Sequence, residues 1–382
     1  MNYPCIVGGC LRLKYLKIGF STTQNSCFLL QLISDDLPVL VKKYIGKRLA
    51  FTLLVLFGVC TITFFVSRVI PGDPASMWAG PKHTQGQLDA ARKELGLDRP
   101  LLVQYLNYMA NLLKGDLGVS IRTKQPVLEE VGRRYGATFE LVSVSILIAL
   151  IVGIPLGVIS AIRKDKPIDH GSRAFSISGV AMPMFWLGMI LQITLHGNLG
   201  WFPLQGRIGS MVLIDHPITP ISGFYLFDSL VTGNWTAFIS SIKYMALPAL
   251  TMSFASLAIV TRITRSSMLE VMREDYVQTA TAYGVSRRTI LYKYALKNAL
   301  IPTITIIGLA YGLMLGGSVM VESIFDWPGL GSYIVLSITR NDFPGIVGST
   351  LVFATTYLTI NLIVDLIYFF VDPRIKHPGH KG

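Results

Sequence analysis

The chain has 382 residues, 51% hydrophobic against 15% charged, with a mean hydropathy of +0.52 and a formal net charge of +12. That balance excludes an ordinary soluble globular domain, in which about a quarter of the residues are charged. The basic excess does not mark a nucleic-acid binder either, because the Lys and Arg residues are distributed along the chain as membrane sidedness requires.

Residues 1–40 differ from the rest. Their longest apolar run, Cys27 to Ile33, is too short to cross a bilayer, and no small-residue cleavage site follows it. This extension is expected to be disordered or not made, with translation starting at the codon of Leu40 or Val41. The next stretch, "LVKKYIGKRLAFTLLV", turns from basic to apolar. Residues 41–70 are read as the first transmembrane helix, its apolar run lying at Leu49 to Ser67. Pro71 and Pro74 in "IPGDPA" then remove donors and stop it.

An extracytoplasmic segment, 71–137, follows. Leu88, Ala91 and Leu95, then Leu102, Tyr105, Met109 and Leu113, fall at helical spacing and predict two amphipathic helices that cover the outer ends of the spans. The membrane core, 138–372, holds five further apolar runs: Thr138 to Ile162, Phe175 to His196, Tyr244 to Val260, Ile301 to Val321 and Gly348 to Val371. Between the third and fourth spans, "QGRIG" (Gln205 to Gly209) and His216 to Trp235, rich in Pro, Gly and aromatics, read as an outer loop. Residues 373–382 form a tail. The fold class is all-α, a polytopic membrane protein of about six helices.

Sidedness follows from the basic residues. Segments placed inside carry Lys42, Lys43, Lys47 and Arg48, then Arg163, Lys164, Lys166 and Arg173, then seven between Arg262 and Lys297, and finally Arg374, Lys376 and Lys381. The two later outer loops hold only Arg207 and Arg340. The long segment before Thr138 is basic too, but the rule loses force in loops of that length. Both termini are therefore expected in the cytoplasm.

Ionisable groups are sparse within the spans. Glu140 and His196 sit near span ends, and Asp365 is the carboxylate well inside an apolar run, where a local partner near the inner end of the last span is expected. An ion-coupled secondary transporter would need a relay of such groups, and a membrane-embedded enzyme would need clustered His, Asp or Glu. Neither pattern is visible. Cys5, Cys10, Cys27 and Cys60 have no metal-site spacing, and no phosphate loop, His-Glu-x-x-His or Gly-x-Ser-x-Gly occurs.

The polar segment at about 264–300 stands out between two apolar runs. Arg262 to Arg273 continues the fourth span, and Tyr276 to Tyr283 reads as a short helix closed by Gly284 in a left-handed turn. Ser286 can cap a second helix with Ile290, Tyr294, Leu296 and Leu300 on its apolar face. By physics alone this knob either binds anionic lipid heads or docks another protein. A second motif, "VESIFDWPGLG" (Val321 to Gly331), also has two readings. Glu322, Asp326 and Trp327 either line an outer gate or pathway, or end a helix and turn the chain through Pro-Gly chemistry.

Between Gln278 and Lys297 the chain resembles the EAA loop of ABC-transporter permeases. The Ala280 and Gly284 positions match; Gln278 and Thr279 stand where Glu and Ala are usual, and Leu296-Lys297 replaces Leu-Pro, with Pro302 following in "NALIP". These departures are the form the loop takes in the dipeptide, oligopeptide and nickel branch. "FFVSRVIPGDPA", "ELGLDRPLLVQYLNYMANLLKGDLGVS", "MPMFWLGMIL", "LGWFPLQGR", "LPALTMS", "VESIFDWPGLG" and "NLIVDLIYFFVDPRIK" are similar to the same branch in the same order, from about residue 41 to the end.

The resemblance implies a type I importer permease, non-catalytic, in the cell membrane. It implies an ATPase-coupling loop containing Tyr276, Gln278, Thr279, Ala280, Gly284 and Ser286. The implied partners are a second homologous permease, two ABC ATPase subunits, an extracytoplasmic solute-binding protein and the lipid bilayer, with no nucleic acid. No cofactor is expected in this chain, ATP and Mg belonging to the ATPases. A dipeptide or oligopeptide is the expected solute, with nickel or a sugar as alternatives on the same architecture.

Overall fold

The structure is a computed structural model that describes residues 46–66, 73–80 and 82–371. The readings for the extension 1–40, the first half of "IPGDPA" (70–72) and the tail 373–382 lie outside the described residues. The described residues from Leu49 onward form one compact unit. Every named element among the described residues is helical.

Among the described residues five helices are long and apolar enough to cross a membrane: α1 (Gly46–Val66), α5 (Val127–Ile162), α10 (Trp235–Val271), α13 (Leu296–Ile324, the apolar part of a helix unbroken from Arg287) and α15 (Phe343–Val371). The expected third span is different. It is a pair, α6 (Pro167–Ala181) and α7 (Met184–Leu191, continuing to Asn198 as a wider π-helical turn), bent by 108° at the break. The cause is local. Pro183 bars its predecessor from helical backbone, and Met182 accordingly adopts φ −83°, ψ 123°.

The long helices also exceed the predicted apolar runs. At 36 and 37 residues, α5 and α10 reach roughly 55 Å at 1.5 Å per residue, well beyond about 30 Å of hydrocarbon. Hence α5 starts at Val127, inside the segment expected to be wholly extracytoplasmic. Short helices α2 (Pro74–Ala79), α3 (Gln85–Glu94) and α4 (Leu101–Leu113) precede it. The two amphipathic helices are present, and α4 is half-buried along Tyr105, Tyr108 and Met109, while Leu102 and Leu113 of the expected stripe are exposed; the Tyr105 hydroxyl hydrogen-bonds Thr61 at 2.8 Å and the Tyr108 ring lies 5.3 Å from the Phe64 ring.

The expected outer loop between the third and fourth spans contains α8 (Ser210–Asp215) and α9 (Tyr225–Val231). Its Arg207 is buried. The guanidinium donates to Glu140 of α5 at 2.6 Å and to the Gly223 carbonyl at 2.8 Å, and lies 3.7 Å from the Tyr225 ring. Glu140 also accepts from the amides of Tyr225 and Leu226 at the start of α9. Nearby, burial opposes charge on Asp228, yet donors from Ser222, Ile221 and Gly223 outweigh it and hold the carboxyl below its ordinary range. The remaining elements are α11 (Asp275–Ala282), α12 (Arg287–Thr289) and α14 (Leu330–Thr339).

The centre of the fold is the packing of α5 on α10. Gly153 and Gly157 let the backbones meet: a Cβ on Gly157 would lie 2.7 Å from Thr264 Cβ and 2.8 Å from the Thr261 carbonyl oxygen. Gly179 of α6 meets Ala258 of α10 in the same way. Helices in lipid gain little from hydrophobicity against one another, so close backbone approach supplies the dispersion that holds them. Around this seam Leu141, Val142, Leu247, Met252, Met314 and Phe325 are buried in one cluster from α5, α10 and α13.

A Gly157→Ala change should therefore destabilise the fold by about 1–3 kcal/mol through overpacking. Gly132→Ala, on the same helix with nothing within 4 Å, should be neutral or slightly stabilising. The thermal midpoints of the two variants in detergent check the contrast, and equal midpoints would contradict it.

Candidate coupling site

The polar segment is built from the end of α10 onward. After Val271 a turn through Met272 to Glu274 starts α11 at Asp275. Gly284 closes α11 at φ +73°, a conformation with little cost only for glycine, and the Val285 amide returns to the Ala280 carbonyl at 3.1 Å. Ser286 then caps α12, its hydroxyl accepting from the Thr289 amide at 3.4 Å.

The knob has a packed back and a polar front. Val277 is buried, and Leu291, Ala295 and Ala299 pack with Val158 and Ala161 of α5 and Met268 of α10. The Tyr276 hydroxyl accepts from Asn298 at 2.8 Å, tying α11 to α13. Gln278 donates to the Arg273 carbonyl at 2.9 Å, and Thr279 donates to the Asp275 carbonyl at 2.8 Å. Gln278, Thr279, Tyr283 and Ser286 face outward, and Ala280 is half-buried. A cavity of 620 Å³ opens beside them, lined by Val277, Gln278, Thr281, Val285 and Ile290. A second, of 470 Å³, is lined by Glu270, Arg273, Glu274 and Asp275.

The apolar face after Ser286 is the expected one at Leu296, which packs against the buried cluster behind the knob, but not throughout. Ile290 is buried, but Tyr294 is 39% exposed, and the inward residues are Leu291, Ala295 and Ala299. The reason is a π-helical turn at Ile290–Ala295. Its wider hydrogen-bond spacing shifts the register that a 3.6-residue period assumes.

At the far end of α13 the "VESIFDWPGLG" residues are brought together as a turn. Glu322 is fully buried; its two oxygens accept from Thr138 of α5 at 2.6 Å and from the Ser332 amide at 2.9 Å. Trp327, also fully buried, donates to the Ala137 carbonyl at 3.0 Å. Neither side chain faces an open mouth, and each is spent inside the chain. Asp326 alone of the three is exposed, at φ +45°. Gly329 is required here because a Cβ would meet the Glu322 carboxylate at 2.5 Å.

A third cluster escaped the sequence reading. Asp169, at the start of α6 and fully buried, accepts both arms of Arg265 of α10 at 2.5 and 2.8 Å. Ser160, near the end of α5, donates to the same carboxylate at 2.6 Å, and the Asp165 amide donates at 3.0 Å. The available signal was an acidic residue following a basic loop, with Arg262 and Arg265 both carried by the last part of α10.

Because both oxygens of Glu322 are acceptors, Glu322→Gln leaves one donor unmatched, at about 1–3 kcal/mol. The variant should show a several-fold lower level of folded, membrane-inserted chain, while Asp326→Asn keeps the parental level, since Asn tolerates positive φ. Fluorescence-detected size exclusion of both variants reads this directly; parental abundance and heat stability for Glu322→Gln would contradict the buried-turn account.

Comparison with known proteins agrees with this geometry. Residues 153–377 match the family described as binding-protein-dependent transport system inner membrane component, and residues 40–142 match its N-terminal companion. The chain is 45% identical over 326 residues, 85% of its length and 95% of the relative's, to the "Probable D,D-dipeptide transport system permease protein DdpB" of Escherichia coli K12. It is 40% identical over 338 residues, 88% of its length and 99% of the relative's, to the dipeptide transport system permease protein DppB of the same organism. It is 39% identical over 335 residues, 87% and 99% of the two chains, to the oligopeptide transport system permease protein AppB of Bacillus subtilis. The chain thus belongs to the binding-protein-dependent transport system inner membrane component family, as a non-catalytic, multi-pass permease subunit of an ABC importer.

Proposed function

We propose that this permease carries dipeptides or oligopeptides inward, with the basic end of the spans and both termini in the cytoplasm. A second homologous permease completes the path. Two ABC ATPase subunits, which hold ATP and Mg, grip the knob from the cytoplasm, and an extracytoplasmic binding protein delivers the solute. The peptide reading rests on the dipeptide and oligopeptide relatives.

One observation carries the coupling reading. The knob presents Gln278, Thr279 and Ser286 outward while its back is packed on the ends of α5 and α10. A lipid-binding hairpin needs an apolar face buried in the interface. Here much of that face is consumed by the chain itself, which leaves a shaped surface of polar groups and exposed tyrosines, Tyr283 among them, for a protein partner. Tyr276 and Ala280 hold that surface in place, and Gly284 sets its turn.

The backbone at Gly284 provides the test. Valine there adopts a conformation costing about 1–3 kcal/mol, whereas Asn accommodates it. In the reconstituted transporter, Gly284→Val should insert normally, yet dipeptide uptake should fall by roughly tenfold, the equivalent of 1.4 kcal/mol, while ATP hydrolysis persists. Gly284→Asn should keep uptake. Normal uptake by the valine variant, or failure of an ATPase pair to co-purify with the parent chain, would refute the coupling role. Uptake assays with labelled dipeptide, nickel and sugar in parallel decide the solute.

A further inference from the structure

The knob is covalently continuous with α10 and α13, whereas the broken third span is not. Something must join α6 to the elements that a partner ATPase would move. Asp169 and Arg265 have the geometry to do so. The Arg265 guanidinium places Nε on one carboxylate oxygen and Nη2 on the other, at 2.5 and 2.8 Å. Two parallel bonds fix rotation as well as distance, so α6 cannot slide or turn on α10 without breaking at least one. Arg265 lies six residues before Val271, about 9 Å up α10 from the knob.

The same carboxylate also holds α5, through Ser160 at 2.6 Å and the amide of Asp165 at 3.0 Å. Farther along, Gly157 against Thr264 and Gly179 against Ala258 bring the three helices into backbone contact. These contacts make one body of this end of α5, α6 and α10. That body ends where α6 ends, at the 108° bend after Ala181. Beyond the bend, α7 lies against other parts of the core: a Cβ on Gly188 would be 3.3 Å from Thr251 and 3.4 Å from Phe325.

Stability alone does not call for an ion pair here. A buried pair can often be exchanged for apolar side chains without loss, whereas removing one partner is costly. What the fork supplies, and an apolar contact does not, is a fixed orientation. We propose that Asp169 and Arg265 are the positioning pair through which movement of the coupling knob reaches the bent third span, so that the solute path opens in step with nucleotide turnover. This rests on the coupling role proposed for the knob.

The test uses the complete transporter, with its ATPases, partner permease and binding protein, in liposomes supplied with ATP and labelled dipeptide. The quantity read is ATP hydrolysed per dipeptide delivered. A merely structural loss lowers the number of working transporters and leaves that ratio unmoved. Arg265→Lys keeps the charge and loses the fork, and should raise the ratio at least about fivefold, the low end of a typical coupling energy. The double variant Asp169→Leu/Arg265→Met replaces the pair by apolar bulk, retains the fold where a single substitution would not, and should raise the ratio as far or farther. A parental ratio in either variant overturns the proposal. Failure of the coupling role itself would register separately, as a parent chain from which no ATPase co-purifies.

Discussion

The close approach of α5 and α10 is the constraint on which the rest of this permease depends. In water, burial of apolar surface would drive such helices together; in a bilayer the tails are as apolar as the side chains, and that force is absent between helices. What remains is dispersion over many short contacts and hydrogen bonds made away from water. Gly153 and Gly157 meet this requirement by removing the side chains that would hold the backbones apart. Because α10 then runs past the seam to Val271, it carries the knob at a fixed place relative to α5.

Buried carboxylates secure what the seam does not reach. Each of three lies where a short or irregular segment returns to a long helix: Glu140 takes Arg207 and the start of α9, Glu322 takes Thr138 and the Ser332 amide, and Asp169 takes Arg265, Ser160 and Asp165. Asp342 does the same for the segment before α5, accepting from Ser120 and from the Ile121 amide. In each case several donors converge on one acceptor group, which is how a charge becomes tolerable where water is scarce. Sequence position makes Glu322 a candidate for an outer gate, whereas the partners of all four carboxylates show that they hold the backbone.

What was legible in the sequence divides along the same line. Local, one-dimensional signals were read well: the apolar length of α1, α5 and α15, the capping Ser286, and the left-handed Gly284 that closes α11. Features set by partners distant in the chain were not. The Pro183 break was in view in "MPMFW", yet continuous hydropathy across Phe175 to His196 concealed the bend. The face of α13 near Tyr294 was misjudged because a π-helical turn changes the period on which the reading relied. Arg207 was counted only as an outer charge, although it is buried against Glu140, 67 residues away. No window of sequence contains that pair.

The polar knob becomes physically intelligible once its back and front are separated. The docking surface proposed for the knob cannot depend on its partner for its shape, or its fold would fail whenever the partner was absent. In this chain the shape is made internally: Val277 and Leu291 are buried, Tyr276 is tied to Asn298, and Gly284 sets the turn between the helices. The outward side chains of Gln278 and Thr279 bond only the nearby Arg273 and Asp275 carbonyls, so they can vary without altering the frame that Ser286 caps and Gly284 turns. Under the proposed docking role, that separation lets Gln278 and Thr279 depart from the Glu-Ala of the resembled loop while Gly284 keeps the turn.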